Sequence, residues 1–113
     1  MIDPDIATLL AAAPEFAGRY LDLVREADGD PGAAAAFNEL ADHVAGLLAE
    51  PGGQRPALAA CLAAVEEVAV RSPDAEDLVG WSFLDCLSRS DLDLLQPWLG
   101  PRTLAILDEM DLG

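Results

Sequence analysis

The 113-residue chain contains no lysine, and its only cations are six arginines. Against them stand 21 aspartates and glutamates, for a net charge of −15. Binding nucleic acid without regard to sequence needs cations that displace counterions from phosphate, so this balance excludes that class of partner. Aromatic residues are few: Phe16, Tyr20, Phe37, Trp81, Phe83 and Trp98. β-Branched residues are also scarce, and both kinds favour strands. No run of 18 apolar residues occurs, which excludes a transmembrane helix. The opening Met1-Ile2-Asp3-Pro4-Asp5 carries acid where a signal peptide carries base, so a cytoplasmic protein is expected. With one histidine and two cysteines, neither a zinc-finger ligand pattern nor a disulfide framework can be drawn.

What is present is alanine (21 residues) and leucine (19), the residues that lead the helix scale. The hydrophobic fraction of 52% argues against disorder despite the charge. A chain of this length buries about 65% of its unfolded surface, enough for one core without staples. The expected fold is a single all-α domain over residues 1–113. It is a compact antiparallel bundle of five to seven helices, or a short, HEAT-like stack of helical hairpins.

Proline marks the starts. Asp3-Pro4, Ala13-Pro14, Asp30-Pro31, Ser72-Pro73 and Gly100-Pro101 each precede a helical pattern, and proline at the first helical position gives up only an N–H that had no partner. Asp3, Asp30 and Ser72 add capping side chains. Glycines at Asp28-Gly29, Pro51-Gly52-Gly53 and Gly100 mark the stops. The spacing predicts helices near 4–12, 14–28, 31–49, 55–71 and 73–87. A last stretch is capped by Ser90-Asp91-Leu92-Asp93, breaks at Pro97 and resumes near 101–111. The third helix carries Phe37, Leu40, Ala41, Val44, Leu47 and Leu48 on one stripe; the fourth carries Leu58, Cys61, Leu62, Val65, Val68 and Ala69.

Charge is uneven. Residues 1–50 hold ten acids against two arginines, a net of −8. Residues 51–73 hold two of each, and residues 74–113 hold nine acids against two arginines, a net of −7. The neutral stretch is the fourth helix, whose alanines at 57, 59, 60, 63, 64 and 69 let neighbours approach on several sides. It is expected at the centre, with acidic helices around it.

Few residues suggest chemistry. His43 has Glu39 one turn before it and reads as a boundary histidine paired with a carboxylate, since a metal site needs further ligands at fixed spacing. Cys61 and Cys86 lie on apolar stripes and read as buried free thiols. Ser82 lacks the flanking glycines of a nucleophile elbow. The Glu66-Glu67 pair reads as part of a solvated acidic face. These residues support no catalytic centre, cofactor or metal. A cleft in which His43 met Cys61 or Cys86 would favour an enzyme instead.

The C-terminal third is richer. Asp74, Glu76, Asp77, Asp85, Asp91 and Asp93 fall within 20 residues against Arg89 alone, with Trp81 among them and Trp98 just beyond. An exposed tryptophan ringed by carboxylates is a good anchor for a basic partner. Asp74, Asp77, Trp81, Asp85, Asp91, Asp93 and Trp98 are therefore the expected partner-binding residues.

Four stretches add a resemblance. His43-Val44-Ala45-Gly46-Leu47-Leu48, Val65-Glu66-Glu67, Asp77-Leu78-Val79-x-x-x-Phe83-Leu84-Asp85-x-Leu87 and Trp98-Leu99-Gly100-Pro101-Arg102-Thr103 together resemble an uncharacterised group of small all-helical bacterial proteins. Some members of that group look like immunity or antitoxin proteins. The likeness spans residues 37–107. The chain departs from it at Asp85, where the group has glutamate, and at Trp81-Ser82, where it has smaller residues. The resemblance implies a helical fold and a toxin-neutralising role, and brings no catalytic residues. The expected function is a non-enzymatic acidic protein that docks a basic protein, with a structural or oligomerising helical domain as the alternative.

Overall fold

The computed structural model describes residues 4–29, 31–50 and 55–112. It contains α1 (Pro4–Ala12), α2 (Ala17–Ala27), α3 (Ala33–Ala49), α4 (Arg55–Ala69), α5 (Pro73–Ser82), α6 (Arg89–Leu95) and α7 (Pro101–Leu112). Three short 3-10 turns, Pro14–Phe16, Leu84–Cys86 and Gln96–Trp98, join them, and no strand occurs among the described residues. The fold is all-α. No helix among the described residues is long and apolar enough to cross a membrane.

The punctuation residues act locally much as their chemistry predicts. Ser72 caps α5 by accepting from the Ala75 N–H at 3.1 Å, with Pro73 behind it. Pro101 opens α7. The caps expected at Asp3 and Asp30 lie outside the described residues. The cap of α6 is Ser88, whose hydroxyl accepts from the Asp91 N–H at 3.1 Å, two residues earlier than the expected Ser90. The run Ser88-Arg89-Ser90-Asp91 has the same serine-to-aspartate spacing, and the earlier serine wins because Leu87 has already left helical geometry. At the end of α2 the left-handed position is held by Asp28, at φ 53°, with Gly29 following at φ 148°. The N–H of Gly29 returns to the Val24 carbonyl at 3.1 Å and closes the last turn. Aspartate tolerates this conformation better than most residues, because its side chain is short and polar and able to bond locally.

α4, from the neutral stretch of the chain, is central: α1, α3, α5, α7 and the Gln96–Trp98 turn all pack on it. Leu58, Cys61, Leu62, Ala64, Val65, Val68 and Ala69 are its buried residues, and its alanines keep the helix thin enough for this many neighbours. One continuous cluster runs from Ile6 and Leu9 through Phe16, Phe37, Val65 and Phe83 to Leu107. The radius of gyration is 13.2 Å, against about 13 Å for a compact chain of this length.

The main departure lies after α5. The helix expected to reach residue 87 ends at Ser82 and passes into the turn Leu84–Cys86. There the period tightens from 3.6 to 3.0 residues. Phe83 and Leu84 both stay buried, and Cys86 rotates out to the surface. The expectation that both thiols are buried therefore fails at Cys86, which donates to Asn38 Oδ1 at 3.2 Å.

Candidate functional site

The expected partner-binding residues differ in exposure. Asp74 and Asp77 are exposed on α5, and Trp81 is 65% exposed one turn beyond Asp77. Asp85 is exposed on the Leu84–Cys86 turn. Asp91 is half-buried in the first turn of α6, and Asp93 pairs with Arg89 at 3.9 Å. Trp98 is half-buried and packs against the core, so it is no exposed anchor. Its turn lies against α4, whereas Trp81 points away from the core.

What surrounds Trp81 comes from α5 and α7. A surface pocket of about 300 Å³ is lined by Glu76, Asp77, Gly80 and Trp81 on the one helix and Ile106, Glu109 and Met110 on the other. Gly80 lets the two helices close: a β-carbon there would sit 3.1 Å from Ile106 Cγ2 and 3.5 Å from Met110 Sδ. The pocket thus has an apolar floor, an indole wall and a rim of three carboxylates. One of these, Glu76, is held by Arg102 at 3.1 Å. Glu109 lies in a separate helix, 32 residues from Asp77, and only the packing of α7 on α5 brings it in.

Glu66 is not part of a solvated face. It reaches from α4 to the start of α7, where its carboxylate accepts from the Thr103 N–H at 2.8 Å, the Thr103 hydroxyl at 2.8 Å and the Arg102 N–H at 3.0 Å. These N–H groups have no partner within their own helix, and the positive end of the helix dipole favours a carboxylate there. Burial pushes the Glu66 carboxyl up, but the Thr103 and Arg102 donors and the nearby Arg102 charge outweigh it and hold it below its ordinary 4.5. Thr103, the donor of two of these bonds, is 1% exposed.

A third cluster involves the single histidine and one of the two cysteines. His43 does not pair with Glu39, which binds Arg19 at 2.9 Å. Its Nε2 lies 3.4 Å from Glu15 Oε1, and its ring sits 5.8 Å from that of Phe16. Cys61, on α4, completes a group in which carboxylate, imidazole and thiol atoms all lie within 4.8 Å of one another. His43 and Cys61 therefore do meet, but Cys61 is 1% exposed and its thiol is pushed up to about 11 by burial and the negative charge of Glu15. A nucleophilic thiolate needs the opposite surroundings, a cation and solvent access.

Cys86 is also raised, by desolvation and by the charges of Asp85 and Asp42, but it remains exposed. Treatment of the native protein with Ellman's reagent at pH 8 is expected to release one equivalent promptly, from Cys86. Cys61, buried and with its thiol pushed up to about 11, reacts only on unfolding. Rapid release of two equivalents, or of one that survives Cys86→Ser, would contradict this placement.

No protein-family model, curated protein or solved structure matches this chain.

Proposed function

We propose that this protein is a non-enzymatic acidic binding module that docks a basic protein partner on the face formed by α5 and α7. The observation that carries the reading is the exposed Trp81 beside a pocket whose rim is Glu76, Asp77 and Glu109. The pocket suits an arginine or lysine side chain. Its aliphatic stem would lie on Ile106 and Met110, and its cation would face the carboxylates and the indole ring. Net charge −15 adds a long-range field that draws a basic surface toward the molecule.

The concrete form of this function is the one the resemblance implies, an immunity-type protein that neutralises a basic toxin. The mechanism is occlusion: carboxylates occupy the lysines and arginines that a nuclease would use on phosphate. A toxin reading frame beside the gene would agree with it.

The test begins with a pull-down from native lysate at low salt and continues with association kinetics of the captured partner. The association rate is expected to fall about tenfold or more as the screening length shrinks from about 10 Å at 0.1 M toward 3 Å at 1 M salt. Asp77→Asn with Glu109→Gln should slow association more than Asp85→Asn with Asp93→Asn. Asp22→Asn with Glu26→Gln, on α2, which packs on α3, should change it least. An association rate indifferent to salt and to all three pairs would make the acidic surface a solubility feature and favour the structural, oligomerising alternative.

A further inference from the structure

The residues gathered around His43 point to a ligand of a different kind from the Trp81 face. Glu15 lies on the 3-10 turn between α1 and α2, His43 on α3 and Cys61 on α4. Three separate elements thus bring the only histidine and one of two cysteines to a common point with a carboxylate. Sequence spacing gives no hint of this, since the donors are 28 and 18 residues apart along the chain.

We propose that Glu15, His43 and Cys61 form a binding site for a borderline-soft divalent metal ion, zinc foremost, with a fourth position open to water. The donor set is selective. Sulfur and imidazole suit zinc and cobalt, whereas calcium and magnesium take oxygen ligands. Tetrahedral zinc with bonds of about 2.0–2.3 Å places its ligand atoms about 3.3–3.8 Å apart. His43 Nε2 and Glu15 Oε1, at 3.4 Å, already meet that spacing. The group as a whole spans up to 4.8 Å, so closure asks for a shift of about 1 Å. Glu15, whose side chain is 43% exposed, has the most room to adjust. The other two donors are already held. Cys61 is packed in α4, and the His43 side chain is 11% exposed with its ring against Phe16.

The charge also fits. A carboxylate and a thiolate neutralise a divalent ion, with imidazole as the uncharged third ligand. Coordination forms the metal–sulfur bond and releases the thiol proton to solvent, so affinity rises with pH. The ion would tie the first 3-10 turn to α3 and α4, and the site shares no side chain with the Trp81 pocket. Failure of one reading therefore leaves the other intact.

Cobalt(II) is the probe. Titration of the reduced, chelator-treated protein is expected to give a sulfur-to-cobalt charge-transfer band in the near ultraviolet, with tetrahedral ligand-field bands in the visible, saturating at one equivalent. Zinc should bleach both. Cys61→Ser should abolish the charge-transfer band while Cys86→Ser retains it. Glu15→Gln, a surface change that leaves the core untouched, should weaken cobalt binding about tenfold or more without removing the band. Should Cys61→Ser fold poorly by circular dichroism, the Glu15→Gln titration and the proton released on binding to the native protein decide the matter. Cobalt uptake with no charge-transfer band would mean binding to surface carboxylates alone, and would overturn the site. A band lost in Cys86→Ser rather than Cys61→Ser would overturn it as well.

Discussion

Gly100→Ala is expected to destabilise the protein by about 3 kcal/mol in urea unfolding, and to cost almost nothing in a Glu66→Ala background. A β-carbon at Gly100 would overlap the Glu66 side chain at its Cγ, Cδ and Oε1. The far end of a glutamate ordinarily swings aside at little cost. Here it is pinned by two N–H groups and a hydroxyl at the start of α7, so moving it strands three donors. Hydrogen bonds to a charged acceptor contribute about 1.5–3 kcal/mol each when broken one at a time, and a lost cap about 0.5–2 kcal/mol, so about 3 kcal/mol is the scale for the set. In a chain of this size that is a large share of a total stability of about 6–17 kcal/mol.

The pH dependence follows from the same contact. The native carboxyl is held below the ordinary 4.5, so the stabilisation is complete above that value and fades as pH falls through the native one. The stability gap between the parent protein and Glu66→Gln is expected to narrow progressively as pH falls below the ordinary 4.5. Additive losses for Gly100→Ala and Glu66→Ala, or a gap that does not change with pH, would show that the cap contributes little.

The second large effect concerns binding. Trp81→Ala is expected to speed dissociation of the basic partner about 30-fold or more, the signature of a residue contributing at least about 2 kcal/mol at an interface. Its effect on folding should stay within about 0.5 kcal/mol, because the side chain is 65% exposed. Neutralising Asp77 and Glu109 should act on the other rate constant and slow association, since steering works before contact and the indole only after it. Trp98→Ala provides the contrast. Trp98 packs against the core, so its loss should appear as reduced stability and leave dissociation of the partner unchanged. Equal dissociation rates for the parent and Trp81→Ala would remove the indole from the docking face.

The helices themselves were readable. Pro4–Ala12 and the interior of α3 and α4 lie where the apolar stripes place them, because each stripe has the 3.6-residue period and no competing strand pattern. The central position of α4 was readable too, since it is alanine-rich and belongs to the neutral stretch 51–73 of a chain of charge −15. The end of α5 was not. Phe83, Leu84 and Leu87 are apolar in either geometry, and only the packing of both Phe83 and Leu84 into the core selects the tighter turn that exposes Cys86.

The sequence by itself determined the all-α class, most helix starts, the core stripes and the excess of negative charge. Each of these rests on local propensity, on periodicity along one helix or on composition, none of which needs a distant neighbour. The tertiary structure alone decided which tryptophan is exposed and that Glu109 joins Asp77 around it. It likewise decided that Glu66 caps a helix 36 residues away and that Glu15, His43 and Cys61 converge. A single carboxylate, histidine or cysteine carries no mark in the chain of what it will face. Its partners are set by how helices cross, and that depends on side-chain packing summed over the whole core.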